Sequence, residues 1–357
     1  MKVRSDTLDG GEGAHPRLLN LDGLRGLGAI AILLYHAGFV LKVPFVTHGH
    51  IAVDFFFLLS GFVLAFTYQA KLSAGDALAF LRARLVRLWP LMAIGCCYGL
   101  VADLAMHQTT SVYRLLIKFA LSLLCLPLIS GVPFPLNAPQ WSLLFEGVAN
   151  VCHAAFFRRL HRPLLVVIVL AGAAGMVFEV AHHVDLNGGY GGAGMLMPVL
   201  RLVFGYCLGL LIYTLPKPLL RLPFWAPASV FAALTLFPTL AGASLVDLAA
   251  VLLVWPLVLV GSIRDPTHSA ISVSALKMMG ALSYPLYILH YPTLRLVDHF
   301  GAGLPSVVLI PLGVTLSLAA GGLGMIVDPA ARSVFGSALA AMTPRWPLAG
   351  RPASPPG

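Results

Sequence analysis

Charge is scarce in this sequence. Only 10% of the 357 residues are Asp, Glu, Lys or Arg, and 59% are hydrophobic. A soluble domain carries about a quarter charged residues and no more than about half apolar ones. With a mean hydropathy of +0.88, this shortage excludes a cytosolic enzyme and a disordered chain. The five cysteines (Cys96, Cys97, Cys125, Cys152, Cys207) all lie inside apolar segments without metal-ligand spacing, so they read as packing residues and not as a disulfide scaffold. Other absences narrow the chemistry. There is no G-x-x-x-x-G-K-[ST] phosphate loop, no G-x-S-x-G elbow and no H-E-x-x-H or Cys/His zinc spacing. The G-L-R-G-L-G of residues 23–28 opens an apolar run and follows no strand. ATP-driven action, dinucleotide binding and a bound metal or cofactor are therefore not expected.

What is present is a series of apolar runs near 20 residues long, the length of a helical membrane span; a barrel would alternate over segments of about ten. The expected fold is an all-α polytopic transmembrane helix bundle of about ten spans, at 24–41, 51–68, 88–106, 141–157, 164–181, 195–213, 225–241, 245–262, 279–295 and 305–327. Residues 1–19 form an N-terminal segment with no cleavable signal, 20–328 the membrane domain, and 329–357 a Pro-rich tail that reads as disordered, with no appended soluble domain. Gly205 and Gly209 read as a close-packing device.

The net charge of +9 gathers in short loops, which fits the positive-inside bias better than nucleic-acid binding. Lys2, Arg4 and Arg17 place the N-terminus in the cytoplasm. Two crossings return the chain there at Lys71, Arg82, Arg84 and Arg87. The next cluster, Arg158, Arg159 and Arg162, is also inside only if the ambiguous run 114–129, with Arg114, Lys118 and Pro127, is re-entrant or interfacial. Lys217, Arg221, Arg264, Lys277 and the tail's Arg332, Arg345 and Arg351 then fall on the same side, giving two cytoplasmic termini.

An ionisable group inside a span is a functional hypothesis by default. Arg25 and His36 are 11 residues apart, close to three helical turns, so they share a face roughly 16 Å apart along the axis. A histidine that titrates near neutrality suits general-base work. Asp54 opens the second span and either serves a pocket or pairs with His48 or His50. Ser60 and Gly61 follow on the same helix. Arg84 and Arg87 share a helix face; they are either topogenic charges or a guanidinium clamp for phosphate. Trp141 precedes a polar stripe, Ser142, Glu146, Asn150 and His153, on an apolar helix. A buried carboxylate needs a partner, and Glu146, read as lying in the outer half of its span, is expected to find it in His36 or Arg25. In LSYPLYILHYP, Ser283 and His290 share a face, Pro285 is expected to break the helix locally, and Tyr284, Tyr287 and Tyr291 line a pocket or form an aromatic belt.

Five blocks, LDGLRGLGAIAILLYHAG, VDFFFLLSGFVLA, RARLVRLWP, WSLLFE and LSYPLYILHYP, resemble in residues and in order the membrane-bound acyltransferase 3 family. The resemblance implies an enzyme that takes an acyl group, usually acetyl, from cytoplasmic acyl-CoA to a hydroxyl of an extracytoplasmic or membrane-associated acceptor, commonly a carbohydrate. It implies a catalytic role for His36, an important role for Arg25, and donor binding by Arg84 and Arg87. Two departures are visible: Gly147 follows Glu146 where a second acid is common, and Val327-Asp328-Pro329 stands where a glutamate is usual.

Joined to the residue reading, this gives an integral protein of a bacterial cytoplasmic membrane with acyl-CoA as co-substrate, the bilayer and a glycan or glycolipid as partners, and no nucleic acid. His36 acts as general base or transient acyl carrier, and Glu146 supports it. Asp54, Ser60, Trp141, Ser142, Asn150, Tyr284 and His290 line the substrate pocket. The alternatives are the same fold using succinyl-CoA, a proton-coupled secondary transporter in which His36, Glu146 and Arg25 form a relay, and a non-enzymatic scaffold.

Overall fold

The computed structural model describes residues 18–342 apart from 44–45, 47, 74, 110, 130, 157–158, 187–194, 217–221, 237–242 and 265–268. Among them the chain is helical with no strand. The helices are α1 (Leu19–Val40), α2 (Ala52–Ser73, preceded by a 3-10 turn Gly49–Ile51), α3 (Ala77–Ala105), α4 (Val112–Leu123), α5 (Gln140–Phe156), α6 (Arg162–Ala181), α7 (Leu196–Thr214), α8 (Trp225–Leu236), α9 (Ala243–Ala249), α10 (Trp255–Ser262), α11 (Ala270–Phe300) and α12 (Ser306–Met342). A π-helical stretch, Ala250–Val254, joins α9 to α10. Arg158, Lys217, Arg221, Arg345, Arg351 and residues 1–17 lie outside the described residues.

Among the described residues, seven segments are long and apolar enough to cross a membrane: α1, α2, α3, α6, α7, α9 to α10, and α12. Of the other expected spans, α5 has 17 residues and α8 has 12. α11 has 31 residues, but its apolar character is interrupted by Lys277, Arg295 and Asp298. The run 114–129 becomes α4, whose 12 residues rise only about 18 Å against a hydrocarbon core of about 30 Å. Its Lys118 reaches Asp103 near the C-terminal end of α3 at 3.5 Å, and its Leu123 carbonyl accepts from Trp89 Nε1 at 3.0 Å. The following segment climbs back, because Arg295 donates to the Pro135 carbonyl at 2.9 Å and also approaches Asp103. α5 then descends antiparallel to α3, from Gln140 beside Cys96 to His153 beside Phe80. α4 thus enters and leaves at one end of α3.

Two expectations about the later helices change. α11 is continuous through both Pro285 and Pro292. Each proline removes one backbone bond, yet the packing of α1 and α12 along α11 carries the helix past them, as helices in apolar bundles allow. The last helix also does not stop at Asp328. It runs to Met342, so 329–342 is helix rather than tail, and 343–357 lies outside the described residues.

Contacts fix the directions. α1 and α11 run parallel, since Asp22 meets Gly280 at one end and His36 meets His290 further along. α2 and α7 run parallel and touch backbone to backbone. A methyl on Gly61 would stand 2.0 Å from the Tyr206 carbonyl oxygen, and one on Gly209 would stand 2.1 Å from that of Leu58. The G-x-x-x-G of α7 therefore does what its pattern suggests: small residues let two helices approach closely where lipid gives no hydrophobic drive. The bundle has an arginine end, with Arg25, Arg84, Arg87 and Arg332, and a histidine end, with His36, His48, His50 and His290.

Candidate functional site

A cavity of about 380 Å³ opens at the arginine end, lined by Arg25, Arg84, Arg87 and Arg332 together with Ser60, Glu146, Tyr284 and Asp328. α1, α3 and α12 each contribute guanidinium groups. Three of the four are held in place. Arg25 bonds Asp22 at 3.4 Å one turn away. Arg84, only 7% exposed at its side chain, donates to Glu146, which also accepts from Ser60 at 3.2 Å. Arg332 pairs with Asp328 one turn before it, through Nε at 2.8 Å and through Nη2. Arg87 has no hydrogen bond or ion pair among the described residues and lines the cavity. Four cations against two lining acids leave this chamber electropositive. Tyr284 closes part of the wall and donates to the Leu88 carbonyl at 2.6 Å.

At the histidine end a second cavity of about 90 Å³ is lined by Tyr35, His36, His50, Trp141, Arg201, Tyr287 and Tyr291 among others. His36 is partly exposed to it. Its Nδ1 lies 2.9 Å from His290 Nε2, and His290 Nδ1 lies 2.9 Å from the Leu286 carbonyl. A carbonyl only accepts, so His290 Nδ1 carries its hydrogen. In a neutral His290 the Nε2 is then an acceptor, His36 Nδ1 is the donor, and His36 Nε2 is left with a free lone pair. Two bonds, one of them anchored on the backbone, thus set the tautomer that a base requires.

Val53 and Tyr287 line both cavities. The two chambers adjoin at these residues of α2 and α11, with Arg25 of α1 on the larger and His36 on the smaller. Tyr287 is held at the junction: its hydroxyl lies 2.6 Å from Ser142 Oγ and donates to the Pro139 carbonyl at 3.2 Å.

Several expected pairings are replaced by others. Glu146 does not meet His36 or Arg25. Because α5 starts deep in the bundle and descends along α3, its acid lands at the arginine end and takes Arg84. Asp54 does not pair with His48 or His50. It receives Arg201 in a two-pronged bond, Nε to Oδ1 at 2.8 Å and Nη2 to Oδ2 at 2.7 Å, and both side chains are almost fully buried. The two histidines turn to Asp247. Asn150 is buried and lines neither cavity, and His153 bonds the Tyr206 hydroxyl at 2.8 Å. Ser283 lines the larger cavity, whereas His290, expected to line the pocket, is fully buried, lines neither cavity and contacts His36 instead. Tyr284, Tyr287 and Tyr291 line the cavities and form no belt.

Sequence reasoning passed over Arg201 and Asp247, and read Asp328 as a departure at the end of a span and Arg332 as a tail charge. A signal existed for the first two: Arg201 is the only charged residue in 195–213, and Asp247 the only one in 245–262. The rule that singled out His36 applies equally to them. Arg201 also carries its guanidinium 5.5 Å over the Trp141 ring and so braces a wall of the small cavity.

Comparison with known proteins agrees with this architecture. A family model described as an acyltransferase domain, that of the acyltransferase 3 family, matches residues 18–325. The chain is 33% identical over 188 residues to a Rhizobium radiobacter protein called protein 2 in the picA locus, covering 46% of this chain and 96% of that one. It is 24% identical over 330 residues to BcsY of Komagataeibacter xylinus, named a membrane-bound transacylase, covering 84% of this chain and 80% of that one. No solved structure matches significantly. With a family model spanning almost all of the helical bundle, this multi-pass chain belongs to the acyltransferase 3 family of membrane acyltransferases.

Proposed function

We propose that the protein transfers a short acyl group, acetyl by preference, from cytoplasmic acyl-CoA to a hydroxyl of a carbohydrate acceptor presented from the other face of a bacterial cytoplasmic membrane. The observation that carries this reading is the pair of adjoining chambers, one lined by four arginines and the other by His36, meeting at Val53 and Tyr287. Arginine recognises phosphate through charge-assisted, often two-pronged hydrogen bonds. The larger chamber therefore suits the phosphates of CoA, with Arg87 as the cation that forms no ion pair among the described residues. Its placement at the cytoplasmic end keeps those phosphates out of lipid, where burial of unpaired charge is costly.

The thioester then extends past Tyr287 into the small chamber. His36 Nε2 accepts the proton of the acceptor hydroxyl as its oxygen attacks the thioester carbonyl carbon. The carbon–sulfur bond breaks, the CoA thiolate leaves, and it takes the proton back from His36 as the thiol. His290 is a positioning residue that holds His36 in the required tautomer, much as a buried acceptor orients the histidine of a hydrolytic triad. Glu146 holds Arg84 in the donor chamber. About 90 Å³ beside His36 is room for a few water-sized groups, which suits acetyl over a fatty chain.

The reading is tested with purified protein in lipid vesicles, supplied with radiolabelled acetyl-CoA outside and oligosaccharide acceptors inside. Free CoA should appear in step with labelled acceptor. Consumption of no thioester by well-folded protein, with any of the acyl donors acetyl-, succinyl- and palmitoyl-CoA, would remove it.

A further inference from the structure

We propose that the histidine end of the bundle holds a divalent transition-metal ion, of the zinc class, bound by His50, Asp247 and Asp185, with His48 bracing the site. The three ligand-bearing atoms come from separate parts of the chain: the 3-10 turn before α2, the segment after α6, and α9. All lie within 4.8 Å of one another. His50 Nε2 is 3.2 Å from Asp247 Oδ2. In a tetrahedral site with metal bonds of about 2.0–2.2 Å, neighbouring ligand atoms stand roughly 3.3–3.6 Å apart. His50 and Asp247 thus already keep close to the required separation, and Asp185, exposed at the rim, has its ligand atom within 4.8 Å of both.

The surroundings fit a ligated carboxylate. His48 Nδ1 lies 2.5 Å from Asp247 Oδ1, the oxygen opposite to the one facing His50. Outer partners of this kind are the usual support of metal ligands. His48, His50 and Asp247 are buried, with Asp247 only 2% exposed. A buried carboxylate such as Asp247 calls for positive charge. Arg201, within electrostatic range of Asp247, is committed to Asp54 by both prongs, and no Lys or Arg pairs with Asp247 among the described residues. Imidazole with carboxylate is donor chemistry that favours zinc over magnesium or calcium, which prefer all-oxygen shells. Three protein ligands leave a fourth position open.

The ion would pin three chain segments together beside the small cavity. His50 lines that cavity, and the Tyr35 ring contacts both His36 (5.3 Å between centroids) and His50 (5.4 Å). The spacing His48-x-His50 hints at such a site only once Asp185 and Asp247 are brought alongside, which no local motif shows.

The experiment uses the full chain without a polyhistidine tag, in detergent, stripped with EDTA and titrated with Zn²⁺ against a chromogenic chelator, with metal content read by mass spectrometry. One equivalent should bind. Asp185→Asn, a change at an exposed side chain, should weaken binding at least tenfold, and His48→Gln by about ten- to a hundredfold. His50→Gln should abolish it, while His161→Gln, at the opposite end of α6 from Asp185, should leave it intact. Wild-type protein that retains no zinc at micromolar free metal overturns the proposal without recourse to any variant. So does zinc binding that is unchanged in both Asp185→Asn and His50→Gln. Neither readout involves acyl transfer, so the metal site and the proposed reaction stand or fall separately.

Discussion

His36 Nδ1 and His290 Nε2 lie 2.9 Å apart across two parallel helices, joining residues 254 positions apart in sequence. Because His290 is itself tied to the Leu286 carbonyl, the contact orders the protons and not merely the rings. His290→Phe keeps the volume but removes the acceptor. It should lower kcat about a hundredfold, the low end of what general-base catalysis contributes, and leave the KM for acyl-CoA within twofold. His290→Gln, whose side-chain oxygen can accept from His36, should recover part of the loss. Steady-state kinetics on the two variants separates this role from a purely structural one, in which kcat and thermal stability would fall together.

Read as the site of the acyl-CoA donor, the arginine chamber predicts two different phenotypes for neighbouring arginines. Arg87 is unclaimed by a carboxylate among the described residues, so Arg87→Ala should raise the KM for acyl-CoA about tenfold or more, the worth of a hydrogen bond to a charged group. Its melting temperature should stay unchanged. Arg84→Ala strands Glu146 in a largely buried position and should also lower stability. A thermal-shift assay beside the kinetics reads both, and equal stability loss in the two variants would contradict the division.

Asp54 and Arg201 form a buried ion pair with both side chains at most 3% exposed. Breaking such a pair by removing one partner typically costs about 3–5 kcal/mol, because the other charge is left uncompensated. Asp54→Asn and Arg201→Met should each destabilise strongly, and the double variant should cost less than their sum. A double-mutant cycle in detergent unfolding checks this; additivity would show the pair to be independent.

Gly61 and Gly209 allow α2 and α7 to meet at backbone distance. Neither obstruction is a side chain that can swing away, so Gly61→Ala and Gly209→Ala should each destabilise by at least about 1–3 kcal/mol, the usual range for overpacking. Fluorescence-detected size exclusion after a heat step would reveal it, with Gly147→Ala, which meets nothing within 4 Å, as the control.

Much of this was legible in the sequence. Apolar run length placed the helices, and the helical period put Arg25 and His36 on one face of α1, where Arg25 lines the larger chamber and His36 the smaller. The spacing of Arg84 and Arg87 put both on one helix face, and both line the larger cavity. What stayed hidden were relations between distant segments. Glu146 could not be matched to Arg84 until α5 was seen to start deep in the bundle and descend antiparallel to α3. Asp54 had nearby histidines in sequence, but Arg201, 147 positions away, offered a planar two-pronged partner. Pro285 signalled a break that packing against α12 overrides, and Asp328 looked like an ending where one more stretch of helix brings Arg332 to the cavity.

The central claim is that one path joins the arginine chamber to His36. A cryo-EM structure of the full chain with a non-hydrolysable thioether analogue of acetyl-CoA tests it most directly. The account predicts phosphate density against Arg87 and Arg84, the pantetheine arm passing Tyr287, and the acyl carbon in the small cavity within reach of a hydroxyl bonded to His36 Nε2, at reacting distances of about 3–3.5 Å. An analogue whose acyl end lies away from His36, with Tyr287 closing the junction between the chambers, would contradict it.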